Sequence, residues 1–183
     1  WDNYFDTNMT FAIEGSTSGE IFTHSKYAAL KSKDAIADQF RDKYGLRPSV
    51  DTENPDIRIN VHISNEMVHV SLDRSGNILS KRSYRLNQTE ASMNEVLAAG
   101  IILLSGWNKD SDFIDPMCGS GTLPIEAALI AHNIPPGKNR NFGFQTWLDF
   151  DKNLWDEIKA DSEQNITTFK KKITAYEIDK KAL

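Results

Sequence analysis

The sequence is short of several things, and each shortage removes a class of protein. It has one cysteine, Cys118, so no disulfide can form within the chain, which fits a reducing compartment. No apolar run approaches the ~18 residues of a membrane span. The longest, around Val96 to Leu104, is interrupted by Gly100. Nothing near Trp1 pairs a basic stretch with an apolar core in the manner of a secretion signal, so a cytoplasmic, membrane-free protein is expected. Four histidines, at 24, 62, 69 and 132, show no metal-ligand spacing, and no metal is expected. Positive charge is not in excess either. Lys+Arg number 21 against 26 Asp+Glu, a net charge of −5, so any nucleic-acid contact needs a local basic patch rather than a global field. One candidate patch is Lys81-Arg82-Ser83-Tyr84-Arg85, which reads equally well as a charged linker between domains. Lys170-Lys171-Lys172 reads as a solvated helix end.

What is present is periodicity. Leu30, Lys33, Ile36, Ala37, Phe40 and Tyr44 recur at three and four, predicting a helix over 27–44 closed by Gly45. The period then changes to two. Ile57, Ile59, Val61 and Ile63, then Val68, Val70 and Leu72, predict an antiparallel hairpin about Ser64-Asn65-Glu66, with an earlier strand near 10–13. Residues 1–85 thus read as a small α+β unit whose sheet is covered on one face.

Residues 86–183 read as the start of a doubly wound α/β domain. Met93, Val96, Leu97, Gly100, Ile101 and Leu104 outline a helix with Thr89 or Ser92 as N-cap. Phe113-Ile114 is a short strand, 122–132 a helix with Leu123, Ala127 and Ile130 inward, 133–143 a loop, 151 to about 168 a helix, and 172–178 a second strand.

The chemistry-bearing segment is Asp115-Pro116-Met117-Cys118-Gly119-Ser120-Gly121-Thr122. Strand, glycine turn and helix start bring backbone N–H groups to the carboxyl edge of a sheet, where a ligand can approach closely and the helix N-terminus favours an anion such as a carboxylate. A phosphate loop would need Gly-Lys-Ser/Thr, and Gly121-Thr122-Leu123 lacks the lysine. A dinucleotide turn would need a third glycine where Pro124 stands. At the next strand end, Tyr176-Glu177-Ile178-Asp179 offers a carboxylate where a ribose diol would lie, although Glu177 and Asp179 also read as solvated strand-end residues. Cys118 reads as a packing residue, and Trp107, Trp147 and Trp155 as anchors of packing.

Residues 112–131, 142–155 and 175–183, with 27–36 and 71–85 in the first half, resemble the bacterial THUMP-domain methyltransferases of the 23S rRNA guanine-N2 group. Members of that group often carry the label of N6-adenine-specific DNA methylases. The resemblance spans nearly the whole chain, and Asp115–Thr122 is its most specific part. It implies a THUMP-like RNA-binding domain over 1–85 and the first part of a Rossmann-like, S-adenosylmethionine-dependent methyltransferase domain over 86–183. Asp115, Pro116, Met117, Cys118, Gly119, Ser120, Gly121 and Thr122 would line the methionine end of S-adenosylmethionine. Glu177 would bind the ribose hydroxyls and Ile178 would pack near the adenine. The helix from Met93 would pack on the sheet beside this site. Lys81, Arg82 and Arg85 would contact RNA, with 23S rRNA the expected partner.

Three positions depart from the family pattern: Ser83 replaces a usual glycine, Ser92 a frequent proline, and Glu177 a more common aspartate. The Asn-Pro-Pro-Tyr type of motif, which grips the flipped base in amine-directed methyltransferases, does not occur. Asn133-Ile134-Pro135-Pro136-Gly137 matches it only superficially and reads as loop. The resemblance therefore implies a fragment, incomplete at both ends and catalytically inactive alone. The rival readings are a DNA adenine-N6 methyltransferase and a non-catalytic RNA-binding module.

Overall fold

The computed structural model describes residues 1–82, 84 and 92–179. They group into two compact units, Trp1–Asn77 with Asn141–Lys152, and Ile78–Arg140 with Asn153–Leu183. The expected division near residue 85 therefore does not anticipate that 141–152 returns to the first unit.

In the first unit, β1 (Thr10–Ser18), β2 (Ser49–Val50), β3 (Ile57–Ser64) and β4 (Met67–Leu72) form one sheet in the order β2-β1-β3-β4. The hairpin β3–β4 is antiparallel, as alternation predicts, with Val61 opposite Val70. β1 lies parallel to β3, with Phe11 opposite Ile57, and this pairing requires the crossover that α1 (Ser25–Tyr44) supplies. Ile57, Ile59, Val61 and Ile63 are all buried, each contributing roughly 1.5–3 kcal/mol. Ala28, Ile36, Ala37 and Phe40 of α1 are buried as well, while Leu30 and Tyr44 of the predicted stripe stay half-exposed. Gly45 ends α1 in the left-handed conformation, φ 70°, its N–H donating to the Arg41 carbonyl.

The returning segment completes this core. Trp147 is 5% exposed and clusters with Phe5, Phe11, Phe40 and the β3 isoleucines. Tyr4 meets its ring edge-on at 5.7 Å, and the Arg74 guanidinium lies 5.5 Å from its centre. Leu148 N–H donates to the Tyr4 carbonyl and the Thr146 hydroxyl to the Asp56 carbonyl. Gly143 allows a close approach here, since a Cβ would sit 3.1 Å from the backbone nitrogen of Gly76.

The second unit holds α2 (Glu95–Leu104), β5 (Phe113–Asp115), α3 (Thr122–Ala131), most of α4 (Lys152–Gln164) and β6 (Ile173–Ala175). β5 and β6 are parallel, with Phe113 opposite Ile173. Asn94, rather than Ser92, caps α2, its side chain accepting from the N–H groups of Val96 and Leu97; Thr89 lies outside the described residues. Asn94 sits where its carboxamide reaches two orphan donors of the first turn. α2 packs against α3 through Ala98 and Ile102, not chiefly against the sheet as expected. α3 buries Thr122, Pro124, Glu126, Ala127 and Ala131, so of the residues predicted inward Ala127 is buried, while Leu123 and Ile130 are half-buried. α4 ends at Gln164, so Lys170–Lys172 is not a helix end but the lead-in to β6.

Candidate cofactor site

At the carboxyl end of β5 the chain turns sharply under several hydrogen bonds. Asp115 Oδ1 accepts from Met117 N–H at 3.1 Å, closing a local turn on its own side chain. Cys118 N–H donates to the Tyr176 carbonyl at 2.9 Å, and Tyr176 N–H to the Asp115 carbonyl at 2.9 Å, which locks the turn to the end of β6. Gly119 and Gly121 take φ 54° and φ 77°, the left-handed region that costs other residues roughly 1–2 kcal/mol. A Cβ on Gly119 would meet nothing within 4 Å, so this glycine serves its dihedral and faces open space. Gly121 then caps α3, and Pro124 falls in the first helical turn, where its missing N–H has no intrahelical acceptor to lose. The proline that weakens the dinucleotide reading is thus compatible with the helix start.

Glu177 closes the arrangement from β6. Its Oε2 accepts from Gly119 N–H at 2.7 Å and its Oε1 from Asp179 N–H at 2.9 Å. These backbone donors, Asp179 first and then Gly119, hold the Glu177 carboxyl below the usual range and keep it ionised. Each oxygen keeps a lone pair for another donor, so a diol could add to these bonds without breaking them.

Two features mark the turn as incomplete by itself. Asp115 is 8% exposed, yet its Oδ2 has no hydrogen-bond partner among the described residues. An unsatisfied buried acceptor costs about 1–3 kcal/mol, which a ligand ammonium or hydroxyl would recover. Ile178 is 99% exposed at the same edge, and Met117 is exposed too, so apolar surface stands ready beside the polar turn. Burial, with the Asp115 and Glu177 charges, pushes the Cys118 thiol up, which suits packing rather than nucleophilic attack.

The sequence is similar to known proteins over all of this geometry. A model described as the RMKL-like methyltransferase domain matches residues 82–183, and a THUMP domain model matches residues 1–73. The chain belongs to the RMKL-like methyltransferase family. It is 43% identical over 166 residues to a ribosomal RNA large subunit methyltransferase K/L of Buchnera aphidicola subsp. Acyrthosiphon pisum (strain APS), a match covering 90% of this chain and 24% of that protein. A solved structure from Listeria monocytogenes str. 4b F2365, described there as a predicted N6-adenine-specific DNA methylase, superposes with a TM-score of 0.86 at 32% identity. The structure of SMU.472 in complex with SAH superposes with a TM-score of 0.86 at 31% identity. Each superposition covers 100% of this chain and 48% of the other, so the chain spans about half the length of these solved relatives. The family's THUMP domain here is the α+β unit, and the β5–turn–α3 segment lies within the region that matches its methyltransferase domain.

Of the expected RNA contacts, Lys81 is exposed, while Arg85 lies outside the described residues, as does Ser83. Arg82 is placed otherwise. Its side chain is 14% exposed, with Nε 3.5 Å from Oε1 of Glu126 in an ion pair but without a hydrogen bond among the described residues, while Glu126, 2% exposed, accepts from the Tyr84 hydroxyl at 2.9 Å. The pair reads as an anchor for the 81–84 segment, and a guanidinium so enclosed is poorly placed for a phosphate. Asn133, in the superficial motif, is occupied as well: it takes φ 54° after α3 and its amide donates to the Asn165 carbonyl.

The sequence marks Ser92 only as a possible helix cap and a departure from the family pattern, and does not mark Glu126 at all. Ser92 Oγ lies 3.3 Å from Ser120 Oγ, which brings the segment before α2 onto the turn. Glu126 gave no signal, since a glutamate in an amphipathic pattern reads as solvent-facing.

Proposed function

We propose that this chain supplies the THUMP domain and the cofactor-binding opening of an S-adenosylmethionine-dependent RNA methyltransferase, acting on a guanine N2 of 23S rRNA. The observation that carries the reading is the Asp115–Thr122 turn, locked by Glu177 across two parallel strands, in a member of the RMKL-like family. The residues present fit the cofactor. Asp115 Oδ2 is a buried acceptor awaiting a donor, Gly119 leaves open space, and the start of α3 favours a carboxylate. Glu177 would hold the ribose diol and Ile178 the adenine face. The SAH bound in the SMU.472 structure supports this choice of ligand, and the Buchnera relative supports rRNA as substrate. S-adenosylmethionine brings a methyl group already activated by its sulfonium, so the protein's part is to bind, orient and exclude water. No Asn-Pro-Pro-Tyr motif occurs in the chain, so base capture is assigned to protein beyond these residues, and the chain alone is expected to be inactive.

Calorimetry with SAH tests the cofactor half, and tritiated methyl transfer to rRNA against DNA tests the substrate. Labelled DNA with inert rRNA would favour the second reading, an adenine-N6 DNA methyltransferase, which the description of the Listeria relative raises.

A further inference from the structure

We propose that the second unit carries an RNA-binding groove at the amino edge of its sheet, opposite the cofactor turn, fitted to the phosphodiester backbone of a single strand. This rests on the RNA reading above and adds a surface to it. The strands β5 and β6 run parallel, so the segments leading into them lie side by side. Phe113 N–H donates to the Lys172 carbonyl at 2.9 Å, and Lys172 N–H to Asp112 Oδ1 at 2.9 Å, which fixes the two lead-ins together. Thr167 is tied to the end of α3, its N–H donating to the His132 carbonyl at 2.8 Å. Between these segments lies a groove of about 370 Å³ lined by Lys109, Thr167, Thr168, Phe169, Lys170 and Lys171, among others. In sequence Lys109 is some sixty residues from the other lysines, so only the fold assembles the group.

All three lysines are exposed, and none takes part in an ion pair among the described residues. Asp110 is the single acidic residue lining the groove among the described residues, and its carboxylate already accepts from the Asn108 amide at 2.9 Å. Three lysines against one aspartate make a locally cationic surface on a chain of net charge −5. Exposed ammonium groups on the rim of one groove present positive charge to which an external polyanion can bind. Exposed threonine hydroxyls donate to phosphate oxygens, and an aromatic wall suits unstacked bases. Phe169 supplies that wall, its ring held edge-on by Trp107 at 5.7 Å. This mixture favours a single-stranded nucleic acid over an acidic protein. Each strand is three residues long, so the groove stands about 10 Å or more from the glycine turn, and RNA held here leaves the cofactor edge free.

The test is fluorescence anisotropy of the 183-residue chain with a labelled single-stranded RNA oligonucleotide of mixed sequence, titrated between 50 and 200 mM salt. Wild type is compared with K109E/K170E/K171E and with K109Q/K170Q/K171Q, while SAH calorimetry reports on the opposite edge. Losing three phosphate contacts at about 0.7 per contact should lower the log–log salt slope by about 2. Affinity at the lowest salt should fall about tenfold for the glutamine variant and further for the glutamate variant, with SAH affinity unchanged. If wild type binds RNA and both variants match it, the groove is overturned and the proposed function stands. If wild type binds SAH but no RNA, the RNA reading and the groove fall together. Competition by polyglutamate as effective as by RNA would also overturn the choice of partner.

Discussion

Removing the carboxylate of Glu126 should be among the most damaging single changes in the second unit. The side chain is 2% exposed and faces Arg82 Nε at 3.5 Å, with the Tyr84 hydroxyl donating to the same oxygen at 2.9 Å. At that separation the attraction amounts to roughly 5 kcal/mol in an effective dielectric of about 20. Most of it offsets the desolvation of two ions, so the pair's net worth is small. Breaking one side is another matter, since a cation that is 14% exposed then loses its partner. Glu126→Ala should cost about 3–5 kcal/mol. Glu126→Gln keeps an acceptor for Tyr84 and should cost less, about 2–3 kcal/mol. The double replacement R82M/E126L removes both charges and should return to within about 1.5 kcal/mol of wild type. Urea unfolding followed by circular dichroism gives the total, and native-state hydrogen exchange of the α3 amides isolates this unit. A cost under about 1 kcal/mol for Glu126→Ala, or additivity in the double variant, would refute the anchor and return Arg82 to the list of possible RNA contacts.

Four further outcomes follow from the same structure. Glu177→Ala frees Gly119 N–H and should weaken SAH binding at least about tenfold by calorimetry, whereas Ser120→Ala should matter far less. Because the Glu177 pKa is lowered by folding, its contribution is complete above the ordinary carboxylate range and is lost only as pH falls through the depressed value. SAH affinity should therefore hold from neutral into mildly acidic pH and then decline, and Glu177→Gln should lack that limb. Gly119→Ala should cost about 1–2 kcal/mol through its φ of 54° alone, read as a shift in the urea midpoint. Gly15→Ala is a steric test, because the new Cβ would lie 2.4 Å from the Ser25 carbonyl oxygen; overpacking of about 1–3 kcal/mol is expected on unfolding the first unit.

Much of the fold was legible because periodicity is a local signal. The β3–β4 hairpin, α1 with its Gly45 cap, and the strand–turn–helix about Gly119 all lie within runs whose spacing declares them. The pairings between distant segments were not legible in the same way. Nothing in Thr10–Ser18 says that it pairs parallel to β3, because alternation fixes a face but not a neighbour. β2 escaped notice altogether, two exposed residues being too few to show a period. α4 was read too long, since Ile166 continues its apolar spacing after the backbone has left the helix at Gln164.

The Arg82–Glu126 pair was not legible in the sequence for one physical reason. Sequence patterning treats charge as exposure, whereas here Glu126 and Arg82 are both largely enclosed and each charge makes the other's burial tolerable. Lys170 and Lys171 are exposed, as read, and what a single sequence cannot show is that the fold lines one groove with them and with Lys109, some sixty residues away. A buried ion pair and an assembled cationic groove are both pairwise facts, and a single sequence carries them only as separate halves. The glycine turn was legible for the opposite reason, since its dihedral demands fall on adjacent residues. Its Asp115 Oδ2 shows how far that local legibility extends. In the proposed reading the turn receives the ligand, and the acceptor left unpaired among the described residues narrows what that ligand must bring, a donor at one defined atom. Asp115→Asn should then separate the roles of this residue. Its amide oxygen can still accept from Met117 N–H and preserve the turn, while its NH2 presents a donor where an acceptor is required. The expected result is an intact fold by circular dichroism with SAH affinity reduced at least about tenfold, and unchanged affinity would remove Asp115 from the site.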